Sequence, residues 1–195
     1  NTSDINEMTI TNNAVLDEVT GEFSVLEVIN SATVFDLPDQ TLKYIKSVVE
    51  KKKIKILYFE VLYTNLNKLN TIVDYFPDQE VRFKVGIETF NDSYRINTLK
   101  KNFKIGNYEN LENFYSCCLL ICTKGQTKEQ ILNDIEMAEK YFKQVTINLF
   151  IDNETAVQRD LELTRWFVLE VYPGIKDRDN IEILLDNKDF GVFVQ

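Results

Sequence analysis

Histidine is absent from this 195-residue chain, and glycine, proline, cysteine and tryptophan are scarce, with six, three, three and one copies. Without histidine, a Ser-His-Asp triad, a Cys-His pair and every histidine-ligated metal site are excluded within these residues. Neither GxGxxG nor GxxxxGK occurs, so no glycine-rich loop is available to cradle a phosphate. No stretch approaches the roughly 18 consecutive apolar residues of a membrane helix. The opening residues, NTSDINEMTI, have neither a basic n-region nor an apolar h-region. A soluble, cytoplasmic protein is expected.

Positive charge is in the minority, with 22 Lys and Arg against 31 Asp and Glu and a formal charge of -9. Such a surface repels phosphate backbones and anionic lipid heads, which argues against nucleic acid or membrane as partner. The single basic run, Lys51 to Lys53, reads as a solvated helix C-terminus complementing the macrodipole, with a binding patch as the alternative. Cys117, Cys118 and Cys122 fall on one predicted strand and make a poor disulfide framework. Strand alternation sends Cys118 and Cys122 to one face and Cys117 to the other, which suits reduced thiols in a core better than cluster ligation.

What the chain has is a series of strand-like runs rich in β-branched and aromatic residues. They are FSVLEVI (23–29), IKILYFE (54–60), VRFKVGI (81–87), CCLLIC (117–122), VTINLFI (145–151) and IEILL (181–185). Their starts lie 27 to 36 residues apart, the length of one βα unit. Between them the apolar spacing turns helical: Leu42, Ile45 and Val49 mark one face, Leu66, Leu69, Val73 and Phe76 the next, and Ile131, Ile135, Ala138 and Phe142 a third. A short helical stretch over Asn12 to Val19 precedes the first strand. Pro38 suits a first helical turn, and Thr127 with Gln130 forms a capping-box pattern. Thr155 is expected to open a helix containing Leu161, Trp166 and Val171, which Pro173-Gly174 would stop. Strands buried on both faces and joined by helices imply parallel pairing, in an α/β fold of about five or six βα units. Open sheet and incomplete barrel both remain compatible, and a single domain is expected.

In either architecture the ligand face lies at the C-terminal strand ends. Those ends carry Asn30, Ser31 and Ala32, then Glu60, then Glu88 and Thr89, then Thr123, Lys124, Gly125 and Gln126, and finally Asp152 and Asn153. The concentration of polar and acidic groups marks a candidate rim. Each member also has a plainer explanation. Glu60 and Glu88 suit helix capping or pairing with lysines, Asp152 suits a turn and N-cap, and a strand-end lysine such as Lys124 is more often solvated than catalytic. Glu60, Glu88 and Asp152 around a divalent cation is a further possibility.

The runs RFKVGIETFNDSYRINTLKK, LLICTKGQTKEQILNDIEMA and VTINLFIDNETAVQRD resemble, in order and spacing, the later strands of radical S-adenosylmethionine enzymes. The shared features are a Gly-Ile-Glu strand end followed by Thr-Phe-Asn, a later strand end with Gln-Thr and its helix, and a polar-ended next strand. The resemblance spans about residues 54 to 165, and FSVLEVINSATVFD looks like the second strand of that family's barrel. It implies a partial (β/α)6 barrel holding S-adenosylmethionine over a [4Fe–4S] cluster, which cleaves the sulfonium reductively. By the same resemblance Asn30 and Ser31 occupy the loop that holds the methionyl amine, usually Gly-Gly-Glu. Glu60 ends the third barrel strand, Glu88 approaches the ribose or carboxylate, Lys100 stands where some relatives place a carboxylate-binding arginine, and Asp152 ends the next polar strand.

The family binds its cluster through CxxxCxxC, which is nowhere in this sequence. The expectation is therefore the C-terminal part of a longer enzyme whose parent chain carries the cluster. The alternative is a degenerate barrel that binds or scaffolds without chemistry. A missing first strand would leave the edge of FSVLEVI open to pairing, so self-association is expected too.

Overall fold

The structure, a computed structural model, describes residues 5–30 and 33–186. The chain divides into two compact units, 1–84 and 85–195.

In the first unit, helix α1 (Ile5–Asp17) leads to strand β1 (Val25–Val28), helix α2 (Asp39–Lys52), strand β2 (Ile56–Val61), helix α3 (Leu69–Tyr75) and the start of strand β3 (Glu80–Glu88). β1 and β2 pair in parallel, with Val25 opposite Ile56 and Val28 opposite Phe59. Ile45, Val49, Leu57, Phe59 and Phe76 are fully buried and form the centre of this unit's core. Pro38 immediately precedes α2, as its fixed φ suits. Lys53 closes α2 in the left-handed conformation at φ 56°, and Lys51 and Lys52 occupy the last turn, where cations complement the helix dipole. α1 begins seven residues earlier than the Asn12 start expected from sequence. Its buried side chains are only Thr9 and Leu16, so the apolar face that sequence reading relies on is almost missing.

The second unit continues from the end of β3 through α4 (Asp92–Asn97), β4 (Ser116–Ile121), α5 (Lys128–Tyr141), β5 (Gln144–Leu149), α6 (Leu161–Trp166), α7 (Tyr172–Ile175) and β6 (Ile181–Leu184). β4 and β5 pair in parallel from Ser116 opposite Gln144 to Ile121 opposite Leu149, and β5 and β6 pair in parallel from Val145 opposite Ile181. Leu119, Ile121, Ile131, Ala138, Ile147 and Phe167 are fully buried. Both halves of the expected capping box are made: Thr127 Oγ1 accepts the Gln130 N–H at 3.2 Å, and Gln130 Oε1 accepts the Thr127 N–H at 2.9 Å.

The strand order is β1-β2-β3-β4-β5-β6, each strand joined to the next through helix. Sequential order without reversal is barrel connectivity, whereas a doubly wound sheet turns back on itself at a switch point. The fold class is therefore α/β, with the strand succession of an incomplete barrel.

The helix expected from Thr155 begins later, and its proline does not end it. Asp160 is the N-cap, its carboxylate accepting the N–H groups of Glu162 and Leu163 at 3.0 Å each. Thr155 instead bonds Asn153 Oδ1 through its N–H at 2.9 Å and its hydroxyl at 2.6 Å, in a turn. Proline at 173 has no N–H to give the preceding turn. The backbone widens to a π-helical turn over Phe167–Val171, and α7 continues with Pro173 in its first turn. Among the described residues, no helix is long and apolar enough to cross a membrane.

Candidate functional site

Glu88 ends β3 with φ 64°, and the Thr89 N–H donates to the Ile87 carbonyl at 2.7 Å across it. A bond between residues two apart around a positive central φ is a tight γ-turn, a strained conformation for a residue with a Cβ. Gly86 lies on the same face of the strand two residues earlier. A Cβ at Gly86 would stand 2.8 Å from Glu88 Oε1, so the missing side chain is the space in which the carboxylate lies. Glu88 is mostly buried, and its Oε1 pairs with Lys101 Nζ at 3.2 Å. Lys100, the residue indicated by the family resemblance, turns away and donates to the Asn97 carbonyl at 2.7 Å.

Two buried charged residues hold this turn from behind. Arg95, on α4, is fully buried; its Nε donates to the Ile87 carbonyl at 2.9 Å, and its Nη2 donates to the Thr89 carbonyl. Its Nη1 pairs with Asp92 Oδ1 at 2.5 Å, and the Phe103 ring lies 4.6 Å from its Cζ. Asp134, on α5, is likewise buried and accepts the Phe90 N–H at 2.7 Å. Burial pushes the Asp134 carboxyl up to about 6, while the Phe90 N–H, the Thr89 hydroxyl and the Arg95 charge pull it down.

Beyond β4 the chain makes a second shaped end. Gln126 Oε1 accepts the Thr123 N–H at 3.0 Å, and Gln126 Nε2 donates to the Leu120 carbonyl at 3.0 Å. Gly125 adopts φ 94°, which glycine alone accommodates readily. Tyr94 OH donates to the Lys124 carbonyl at 2.7 Å and bonds Thr123 Oγ1 at 2.8 Å. The segment before α6 crosses this end antiparallel: Lys124 N–H donates to the Gln158 carbonyl and Asp160 N–H to the Cys122 carbonyl, both at 2.8 Å. Asp152 Oδ1 anchors the same segment by accepting the Arg159 N–H at 2.7 Å, and Lys124 Nζ donates to Gln158 Oε1 at 2.8 Å. Lys124, Asp152, Gln158, Arg159 and Asp160 line an open cavity of about 670 Å³.

In the first unit, Asn30 lies two residues beyond the end of β1, and its Nδ2 donates to the Thr33 carbonyl at 2.6 Å. Its Oδ1 is buried without a hydrogen-bond partner among the described residues, leaving an acceptor for a ligand's donor. Glu60 is half-buried, one residue before the end of β2. Ser31 and Ala32 lie outside the described residues.

Among the described residues, no group of three Asp, Glu, Cys or His side chains could hold a metal ion. Cys117 and Cys122 are buried and suit a core better than a cluster, while Cys118 is half-buried. Burial pushes the Cys117 thiol well up and the Cys122 thiol to about 11, and Cys122 has left the strand with φ 64°.

The chain has a counterpart among solved structures. The chain is 43% identical to a queuine lyase from Clostridium spiroforme bound to S-adenosylmethionine and queuine, over 98% of this chain and 83% of that one, with a TM-score of 0.92. The chain belongs to the radical S-adenosylmethionine superfamily. No protein-family model matches the sequence, and no curated protein matches it. In this radical S-adenosylmethionine protein β3 ends in Gly-Ile-Glu, and Lys101 supplies the cation at Glu88. Lys101, Arg95 and Asp134 were not legible as site residues, because none carries a local sequence signal. Gly86, two residues before Glu88, is the one mark in the sequence that a bulky group must fold back there.

Proposed function

We propose that this chain is part of a radical S-adenosylmethionine enzyme that binds the cofactor at its C-terminal strand ends and acts as a lyase on queuine or a closely related base. The carrying observation is the 43% identity, spread over 98% of the chain, to a lyase whose structure holds both molecules. In this reading Asn30, Ser31, Glu60 and Glu88 are the residues that the family resemblance assigns to the cofactor. Lys101 takes the role that the family resemblance gives to Lys100, and Asp152 keeps the crossing segment in place beside the ligand.

Groups within each unit have chemistry that suits such a cofactor. Asn30 Oδ1 is a buried acceptor suited to an ammonium, the Glu88 carboxylate can accept from ribose hydroxyls, and the Lys101 ammonium can neutralise a carboxylate. Bound S-adenosylmethionine would supply the sulfonium whose carbon–sulfur bond is cleaved. Cys117, Cys118 and Cys122 do not fit a [4Fe–4S] cluster, so its thiolates would come from a part of the enzyme outside this sequence.

Calorimetric titration of the chain with S-adenosylmethionine and, separately, with queuine tests the reading. Binding of both in the range of about 1 to 100 µM supports it, and no heat from either overturns it. One observation favours a second reading, a barrel that binds without catalysis: Cys117 and Cys122 are buried, and burial pushes both thiols up. Anaerobic iron and sulfide reconstitution of the natural protein distinguishes the two. Cluster absorbance with cofactor cleavage supports the enzyme, and their absence alongside retained cofactor binding supports the binding protein.

A further inference from the structure

Glu88 occupies a conformation that its own residue type disfavours, and the groups that hold it there are charged, buried and outside the ligand face. Four backbone polar groups of the turn are engaged. The Ile87 carbonyl takes the Thr89 N–H and Arg95 Nε, the Thr89 carbonyl takes Arg95 Nη2, and the Phe90 N–H goes to Asp134 Oδ1. The next residue is tied as well, with Asn91 N–H donating to Thr89 Oγ1 at 3.1 Å and Asn91 Oδ1 capping α4 through the Tyr94 N–H at 3.0 Å. Burying an arginine and an aspartate is costly unless the surrounding groups are arranged to use them. A non-glycine residue at positive φ persists only where its surroundings over-determine it. Here the two anomalies meet at one turn, and that turn carries the carboxylate with the Lys101 ammonium.

We infer that Arg95 and Asp134 are positioning residues, which grip the Ile87–Phe90 backbone from opposite helices and so present the Glu88 carboxylate to the ligand. The grip is two-sided: a planar guanidinium matches two carbonyls, and a carboxylate matches the Phe90 N–H between the strand and α4. Neither residue touches the ligand itself. The link to cofactor binding rests on the reading given under Proposed function, whereas the grip on the turn stands on the contacts alone.

The test joins amide hydrogen exchange to a double-mutant cycle on S-adenosylmethionine affinity, both with the full chain. Asp134→Ala should speed exchange at Phe90 and Thr89 by about tenfold or more and weaken cofactor binding by about tenfold in the wild-type background. In a Glu88→Ala background, Asp134→Ala should weaken binding by less than about twofold, because the residue acts only through Glu88. Asp134→Asn keeps an acceptor oxygen and should stay within about twofold of wild type in both measurements. If Asp134→Ala does not fold, Asp134→Leu fills the space and carries the same comparison. Unchanged exchange at the turn overturns the grip. A full loss of affinity in the Glu88→Ala background overturns the route through Glu88. Wild-type protein that binds no S-adenosylmethionine overturns the functional reading instead, and exchange alone then decides the grip.

Discussion

Lys101 Nζ stands 3.2 Å from Glu88 Oε1, while Lys100, one residue earlier, spends its ammonium on the Asn97 carbonyl at 2.7 Å. Lys100 is in the left-handed region at φ 58°, and this reversal is what directs the following side chain toward the end of β3. Charge at the site therefore depends on which of two adjacent lysines the turn points inward. Sequence spacing alone does not distinguish them.

Lys101→Ala should weaken S-adenosylmethionine binding by about fivefold to tenfold, the range of a charge-assisted contact of about 1 to 1.4 kcal/mol. Lys100→Ala should change it by less than about twofold. Stability should move little in either variant, since Lys101 is nearly half exposed and such ion pairs contribute at most about 1 kcal/mol. Calorimetry on the two variants side by side decides the matter, and a larger loss from Lys100→Ala would reverse the assignment.

Gly86→Ala probes the same carboxylate from the strand. The new methyl would meet Glu88 Oε1 at 2.8 Å, and because that atom ends a flexible side chain, the carboxylate should move and the backbone should stay. We expect stability within about 0.5 kcal/mol of wild type with cofactor affinity reduced as in Glu88→Ala. Thermal melting and calorimetry together check this; a large fall in melting temperature would mean that the strand, rather than the carboxylate, had yielded.

The architecture was legible because its signals are local. A strand buried on both faces is a continuous apolar run, and CCLLIC and VTINLFI match β4 and β5 from the second residue of each strand, overrunning the C-terminal end. The Thr127 and Gln130 box depends on two side chains three residues apart, and both bonds are present. The site was legible only in part. Asp134 lies 44 residues from the Phe90 N–H that it accepts, and within its own helix it is one acidic residue among several. Arg95 belongs to a polar-looking stretch, NDSYRIN, yet it is fully buried, since its partners are backbone carbonyls that no sequence pattern displays. The helix after β5 was placed too early for a related reason. Thr155 and Asp160 are both plausible caps, and the segment between them is held by tertiary bonds from Asp152 and Lys124.

Asp134 gives the protein a pH signature. Its carboxyl lies at about 6 against an ordinary 3.8, chiefly through burial. A carboxyl whose folded value is raised binds its proton more tightly in the folded state. Its favourable contribution is therefore complete below about pH 4 and is lost as pH rises through about 6. The gap corresponds to about 3 kcal/mol. Asp134→Asn lacks this loss, so its stability relative to wild type should improve by up to about 3 kcal/mol between pH 4 and pH 7. Urea denaturation across that range measures the difference, and parallel curves for the two proteins would refute it.

The last prediction separates the two properties of Glu88, its carboxylate and its backbone. Both Glu88→Ala and Glu88→Gly remove the carboxylate and the pairing with Lys101. Alanine keeps the Cβ that makes φ 64° unfavourable, whereas glycine adopts that region freely. Glu88→Gly should therefore be more stable than Glu88→Ala by about 1 kcal/mol, the lower end of the cost of left-handed backbone for a residue with a side chain. Both should bind S-adenosylmethionine equally poorly. Unfolding by urea with matched slopes gives the first comparison, and calorimetry gives the second. Equal stability of the two variants would show that the turn is relaxed at Glu88. A Glu88→Gly protein that is more stable and yet weaker in binding would show strain retained at this position because the carboxylate is needed there.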